Sequence, residues 1–192
     1  MRIVGGKWKG CILKAPEGKD VTRPTTDRTR EALASSILSA CGLDMSDVHV
    51  LDAFAGSGAV GFELLSRGAA FVTFCDASRQ SLAIIRKNAQ TLEAPRQSYA
   101  VLFGDSLVLA GQAHMSGAPF GVVFLDPPYA MPAEDVASLV GALDAAGNLC
   151  DEALIVYEHA YPHYTIELAG FQLIKSKHHG STGFDVYRKA AC

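Results

Sequence analysis

Four consecutive residues, Asp126-Pro127-Pro128-Tyr129, place a carboxylate, two residues of fixed φ and an aromatic ring at one point of the chain. They follow the apolar run Phe120 to Leu125, which reads as a fully buried strand. Ligands of open α/β sheets bind at the carboxyl ends of the strands. Proline has no N–H, so the two carbonyls are not drawn at once into helix pairing. The result is a rigid, acceptor-rich corner beside a stacking ring. It suits a planar group bearing an exocyclic amine: carboxylate and carbonyl accept the amine protons while Tyr129 stacks. Asp-Pro alone would be a plain strand-ending turn. The full run of four after a buried strand, with a second motif upstream, points to a site in which Asp126, Pro127, Pro128 and Tyr129 act together.

The second motif is Asp52-Ala53-Phe54-Ala55-Gly56-Ser57-Gly58-Ala59-Val60-Gly61, at a strand-to-helix turn. Gly56 and Gly58 let the backbone pass close to a ligand, and Gly61 lets the helix sit near the sheet. Asp52, Ala55, Gly56, Ser57 and Gly58 are therefore candidate cofactor contacts. Asp76 closes the next strand, where a carboxylate can accept both hydroxyls of a ribose. Asp105, after Phe103 and Gly104, ends a third strand and can accept from an adenine amine. The glycines spell G-x-G-x-x-G, which fits NAD as well as S-adenosylmethionine. Two features separate them. Asp52 stands at the strand's end, where it would repel a pyrophosphate and attract, directly or through water, the ammonium of a methionine moiety. Hydride chemistry has no need of Asp-Pro-Pro-Tyr.

These residues need strands to end where they stand. Strands are expected at 48–54, 71–75, 99–103, 120–125 and 153–158. They alternate with helices at 58–67, 78–92 (Ser78 as cap), 106–113 and 133–146. Such alternation argues for a parallel sheet with helices on both faces. Two further strands, 171–177 and 183–188, have a short connection that requires an antiparallel pair. His178 and His179 fall in that connection as a surface turn near phosphate rather than as catalysts. At the other end, short strands at 2–4 and 11–14 form a small hairpin. A link, 15–24, leads to a helix reaching Ala40, with Thr25 and Thr26 as N-cap hydroxyls and Leu33, Ile37 and Leu38 on its apolar face.

The 192 residues suffice for one sizeable domain and a small appendage. With 49% apolar and 19% charged residues, this is globular composition. No stretch matches a membrane span or a secretory leader, so a cytoplasmic location is the default. The five cysteines form no C-x-x-C pair and suggest neither a metal site nor disulfides; Cys41, Cys75 and Cys150 read as small core residues. Residues 1–30 carry eight Lys or Arg against three acids, a net of +5, which leaves −8 for the remainder. A basic arm on an acidic body fits a polyanion partner, or else a solvated hairpin. Trp8 is either a stacking platform or the hairpin's anchor.

Taken together, Asp52 to Gly61, Asp76, Asp105 and Asp126 to Tyr129 resemble the motifs of class I S-adenosylmethionine-dependent methyltransferases acting on exocyclic amines. Arg2-Ile3-Val4-Gly5-Gly6, Arg23-Pro24-Thr25-Thr26-Asp27-Arg28-Thr29-Arg30-Glu31, Glu63-Leu64-Leu65-Ser66-Arg67-Gly68-Ala69, and Gly180-Ser181-Thr182 with Tyr187-Arg188 are more particular. They resemble the RsmD family, bacterial methyltransferases of guanine N2 in small-subunit (16S) ribosomal RNA. Cys11 and Ala34-Ser35-Ser36 depart from the family's usual residues. The resemblance implies a Rossmann-like fold: a mostly parallel seven-stranded sheet with an antiparallel last strand, plus an N-terminal β-hairpin and helix. It also implies S-adenosylmethionine as cofactor, ribosomal RNA, free or in an assembled small subunit, as partner, and a metal-free monomer. Residues 1–24 are then an RNA-binding extension and 25–192 the methyltransferase domain. Lys7, Lys9, Arg23, Arg28 and Arg30 are its phosphate contacts, although the three arginines have an equal claim to packing the first helix against acids. Rival readings are a methyltransferase of adenine N6 or of glutamine, a non-enzymatic RNA-binding module, and a NAD-dependent oxidoreductase.

Overall fold

The structure is a computed structural model that describes residues 1–15, 27–162 and 165–190. Arg23, the Thr25-Thr26 cap, most of the 15–24 link and Cys192 lie outside the described residues.

Five parallel strands form first: β1 (His49–Asp52), β2 (Phe71–Asp76), β3 (Tyr99–Phe103), β4 (Phe120–Leu125) and β5 (Leu149–Ala160). Two more follow, β6 (Phe171–His179) and β7 (Thr182–Lys189). The sheet order is β3-β2-β1-β4-β5-β7-β6. β7 runs antiparallel to both of its neighbours, so β6 points the same way as β1 to β5. The helices are α1 (Asp27–Ala40), α2 (Ala59–Ser66), α3 (Arg79–Thr91), α4 (Ser106–Ala110) and α5 (Ala133–Ala145).

Strand side chains alternate between two buried faces, which is why these strands read as continuous apolar runs. Val50, Val122, Phe124 and Val156 meet Leu33 and Ile37 of α1, Phe62 of α2 and Ile85 of α3. Leu51, Val123, Leu125 and Ile155 meet Leu139 and Leu143 of α5 on the other face. The strand order reverses between β1 and β4. That switch point opens a crevice at the carboxyl edge of the sheet, and it lies between the strands that end in Asp52 and Leu125.

Several expectations change. The N-terminal strands shrink to one antiparallel bridge, Arg2 with Ile12. A 3-10 turn at Gly6–Trp8 and positive φ at Gly6 and Gly10 use up the chain that a longer ladder would need. Even so, Ile3 and Leu13 are buried in the same core as α1 to α3. β5 begins four residues early and runs two residues further than expected. Asp151 and Glu152, polar enough to read as a turn, are absorbed as an irregularity between the Phe120–Leu149 and Val122–Leu154 pairs, with Glu152 at φ 56°. α4 stops at Ala110. The turn between β6 and β7 is Gly180-Ser181, so His178 is a strand residue. Cys75 is buried, whereas Cys41 and Cys150 are only partly so.

Candidate active site

The acids stand at the expected strand ends, but each is held differently. Asp52 is 2% exposed, and its Oδ2 accepts from the Gly61 N–H at 3.0 Å. A Cβ on Gly61 would overlap the Phe74 ring and come within 2.9 Å of Val72 Cγ1. The glycine is therefore what brings α2 down onto β1 and β2, and Asp52 fastens it there. Asp52, expected to meet a cofactor directly or through water, lies sealed beneath the glycine loop. Burial pushes its pKa up to about 7; the Gly61 N–H offsets part of this, and nearby Asp126 and Asp76 add to it.

The loop over Asp52 is pinned at both ends. The Ala55 N–H donates to the Cys75 carbonyl at 2.9 Å, the Gly58 N–H to the Ala55 carbonyl at 2.6 Å, and the Ser106 hydroxyl to the Ala53 carbonyl. Gly56 has φ 53°, and a Cβ on it would meet nothing within 4 Å. At that point bare backbone faces open space at the crevice mouth. Asp76 orients it, since its Oδ2 accepts from the Gly56 N–H at 2.7 Å and its Oδ1 from the Ser78 N–H at 2.7 Å. Each oxygen retains further acceptor capacity. Ser57 is buried and turns inward to Met1 Sδ, 3.4 Å away. Asp105 caps α4, accepting from the Leu107 N–H at 2.9 Å. Phe103 beside it is 49% exposed beneath the Arg79 guanidinium, 4.3 Å from its centroid.

Asp126 lies across the crevice at the end of β4. It is exposed, yet the protein packed around it removes enough water to push its pKa up, to about 6. Solvent still reaches it and blunts that rise, whereas Asp52 is sealed. Pro127 is buried, and Tyr129 is 63% exposed. The Pro128 carbonyl accepts from the Met131 N–H at 2.8 Å. One of the two lone pairs of the Pro128 carbonyl is thus used within the turn.

The basic arm divides. Lys7, Lys9 and Arg28 are exposed. Lys7 Nζ lies 4.3 Å over the half-buried Trp8 ring, whose backbone N–H donates to Ser66 Oγ at 2.9 Å; this is the anchor role. Arg30 is corrected from a phosphate contact to a packing residue: it is 1% exposed and donates to the Arg2 carbonyl and to Asp27 Oδ1, at 2.6 and 2.7 Å.

Two residues that position this arm were not anticipated. Glu63, fully buried in α2, accepts from the Val4 N–H at 2.8 Å and from Arg67 Nε at 2.7 Å. Asn88, fully buried in α3, joins Lys14 to the Ser57 carbonyl. Both carry a legible signal, a polar residue inside an apolar helical stripe.

The whole chain has close relatives. The family model for conserved hypothetical protein 95 matches residues 1–188. Ribosomal RNA small subunit methyltransferase D of Escherichia coli strain K12 is 33% identical over 192 residues, covering 100% of this chain and 91% of that one. This chain belongs to the RsmD family. A solved structure of a putative methyltransferase, yhhF, from Escherichia coli superposes with a TM-score of 0.81 at 33% identity, over 100% of this chain and 99% of that one. Beyond the RsmD family the fold extends to magnesium protoporphyrin IX methyltransferase of Synechocystis PCC 6803, solved with bound SAM. That match has a TM-score of 0.63 at 16% identity and covers 85% of this chain and 79% of the other. In this RsmD-family methyltransferase the glycine loop and the Asp126-Pro127-Pro128-Tyr129 corner follow adjacent strands, β1 and β4.

Proposed function

We propose that this protein transfers a methyl group from S-adenosylmethionine to the exocyclic N2 amine of a guanine in small-subunit ribosomal RNA. The observation that carries this reading is the corner Asp126-Pro127-Pro128-Tyr129 at the end of β4, beside the β1 turn with Gly56 open to the crevice. The name of the 33% identical Escherichia coli relative supports the ribosomal substrate.

The residues fit the cofactor. Gly56 offers backbone that a side chain would obstruct, and Asp76 keeps lone pairs for ribose hydroxyls. Asp105 flanks the adenine end with Phe103 alongside. S-adenosylmethionine supplies a methyl group on a sulfonium, which needs no metal to activate it.

The protein's task is to present a poor nucleophile. The guanine amine lone pair is delocalised into the ring. Asp126 accepts one amine proton and the Pro127 carbonyl the other, which favours the pyramidal nitrogen that attacks. Tyr129 stacks on the base and fixes its plane. As the N–C bond forms and the methyl–sulfur bond breaks, the amine loses one proton toward Asp126. Fixed acceptors replace mobile water, and positioning supplies much of the rate. A stacked guanine has to leave its helix to reach the corner.

Residues 1–24 serve as the RNA-binding extension, with Lys7 and Lys9 on phosphates together with Arg28 at the start of α1. The protein works as a monomer in the cytoplasm; among the described residues no helix is long and apolar enough to cross a membrane.

The test is a methyl-acceptor assay with labelled cofactor on small-subunit RNA from cells lacking this enzyme, both naked and assembled, digested to nucleosides. Label in N2-methylguanine is expected. Label in adenine or in protein overturns the reading.

A further inference from the structure

β5 outruns its neighbour at the crevice edge. Leu125, the last residue of β4, pairs with Tyr157, and β5 continues to Ala160. Tyr161 then stands as far beyond Tyr157 as Tyr129 stands beyond Leu125. Two rows beyond Tyr157 the sheet joins His159, Gly183 and His178 across β5, β7 and β6. Gly183 carries no side chain, and a Cβ there would come within 2.6 Å of the His159 ring. Across this gap Tyr161 lies flat on His178, with centroids 4.0 Å apart and planes 2° apart. Tyr161 remains 45% exposed, and the Tyr161 N–H donates to the Ser181 carbonyl at 2.9 Å, fixing the base of the stack.

Tyr161 is a large aromatic side chain left partly exposed past the end of β5, and a ring held flat in this way is a platform for a stacked base. Lys175 and Lys177 pair with Val186 and Phe184, on the sheet face opposite to His178, so the stack offers contact to a base and not to its phosphate. Three strand spacings of about 4.8 Å put β6 roughly 14 Å from β4. Tyr161 arises one strand from Asp126, so the stack bridges that interval.

We infer that the Tyr161–His178 stack seats an unpaired nucleotide adjoining the target base, on the same RNA strand. This rests on the RNA reading above. It deepens that reading by making the acceptor a locally single-stranded segment read by stacking on the β5–β6 rim, in addition to phosphate contacts on the N-terminal arm.

The experiment compares wild type, Tyr161→Ala, Tyr161→Phe and His178→Ala in methyl transfer to small-subunit RNA. It also compares their affinity for a short unstructured RNA oligonucleotide and for the same oligonucleotide with abasic sites. Tyr161→Ala should raise the RNA KM about tenfold, the loss of one base–aromatic stack. The kcat at saturating RNA and the cofactor affinity should stay as in wild type. Phe should restore the affinity, His178→Ala should fall between, and the abasic oligonucleotide should bind all four alike. A wild-type RNA KM in Tyr161→Ala, with cofactor affinity intact, overturns the inference and leaves the stack to the hairpin end or to a protein partner. Should Tyr161→Ala fail to fold, His178→Ala decides by the same measures. Wild type that methylates no RNA sinks the functional reading itself, a separate outcome.

Discussion

Asn88 grips Lys14 by both of its backbone groups, accepting from the Lys14 N–H at 2.8 Å and donating to the Lys14 carbonyl at 3.0 Å. The same amide nitrogen donates to the Ser57 carbonyl at 2.9 Å. One buried side chain on α3 therefore ties the N-terminal arm to the glycine loop. Asn88→Ala leaves a buried carbonyl without its donor, and each such loss costs about 1–3 kcal/mol. We expect a loss of about 2–3 kcal/mol in urea unfolding, together with weaker cofactor binding by calorimetry. Destabilisation with unchanged cofactor affinity would show that the arm and the loop are not coupled.

Gly56 and Gly61 belong to one sequence pattern but do opposite jobs. Gly61→Ala forces a methyl group into Phe74 and Val72, an overpacking cost of about 2–3 kcal/mol. At Gly56 the same change meets open space with φ at 53°, so the strain is only about 1 kcal/mol. Thermal melts should separate the pair in that order. Cofactor affinity should reverse it, because the Gly56 methyl projects where a ligand would lie. Equal effects on stability would mean that Gly61 does not set the helix-to-sheet distance.

Much of this arrangement is legible in the sequence because buried parallel strands are continuous apolar runs with glycine and acid punctuation. β3 and β4 fall where their runs do, and Ser78 caps α3, accepting from the Ser81 N–H. What is not legible is set by partners distant in sequence. β5 extends at its end because β7 pairs along it as far as Ala160–Thr182, and at its start because Leu149 pairs with Phe120 of β4, which overrides the polar Asp151-Glu152 signal. The stack of Tyr161 on His178 exists only because β7 inserts between β5 and β6. In the site, residue types predict position well and bonding poorly. Asp52 and Asp76 stand at their strand ends as expected, but spacing does not reveal that one is sealed under Gly61 while the other orients Gly56.

Asp126 and Asp76 make separable contributions. Asp126→Ala removes the amine acceptor and should lower kcat by about 100-fold or more, with cofactor affinity within a few-fold of wild type. Asp76→Ala frees the Gly56 and Ser78 N–H groups and should raise the cofactor Kd at least tenfold, about 1.4 kcal/mol, with a smaller effect on kcat at saturation. Single-turnover rates at saturating cofactor, combined with equilibrium titration, distinguish the two. Loss of cofactor binding in Asp126→Ala would reassign that carboxylate.

Protonation should act on rate and on stability in opposite senses. Asp126 must be ionised to accept an amine proton, and burial sets its pKa at about 6. The rate of transfer should therefore fall as pH drops through about 6 and level off above it. Asp52 has a folded pKa of about 7, against 3.8 for an ordinary aspartate. Between these values the unfolded chain has already lost the proton that the folded chain retains, so unfolding is favoured as pH rises through this window. Stability should decline from about pH 4 to about pH 7 and then flatten. Asp52→Asn cannot lose that proton and should shrink the decline in melts across this range, leaving the part between about pH 4 and about pH 6 that the raised pKa of Asp126 contributes. It should leave the acid limb of the pH–rate profile in place, since that limb belongs to Asp126. If Asp52→Asn erases the acid limb as well, the two carboxyls titrate as a single unit across the β1–β4 crevice.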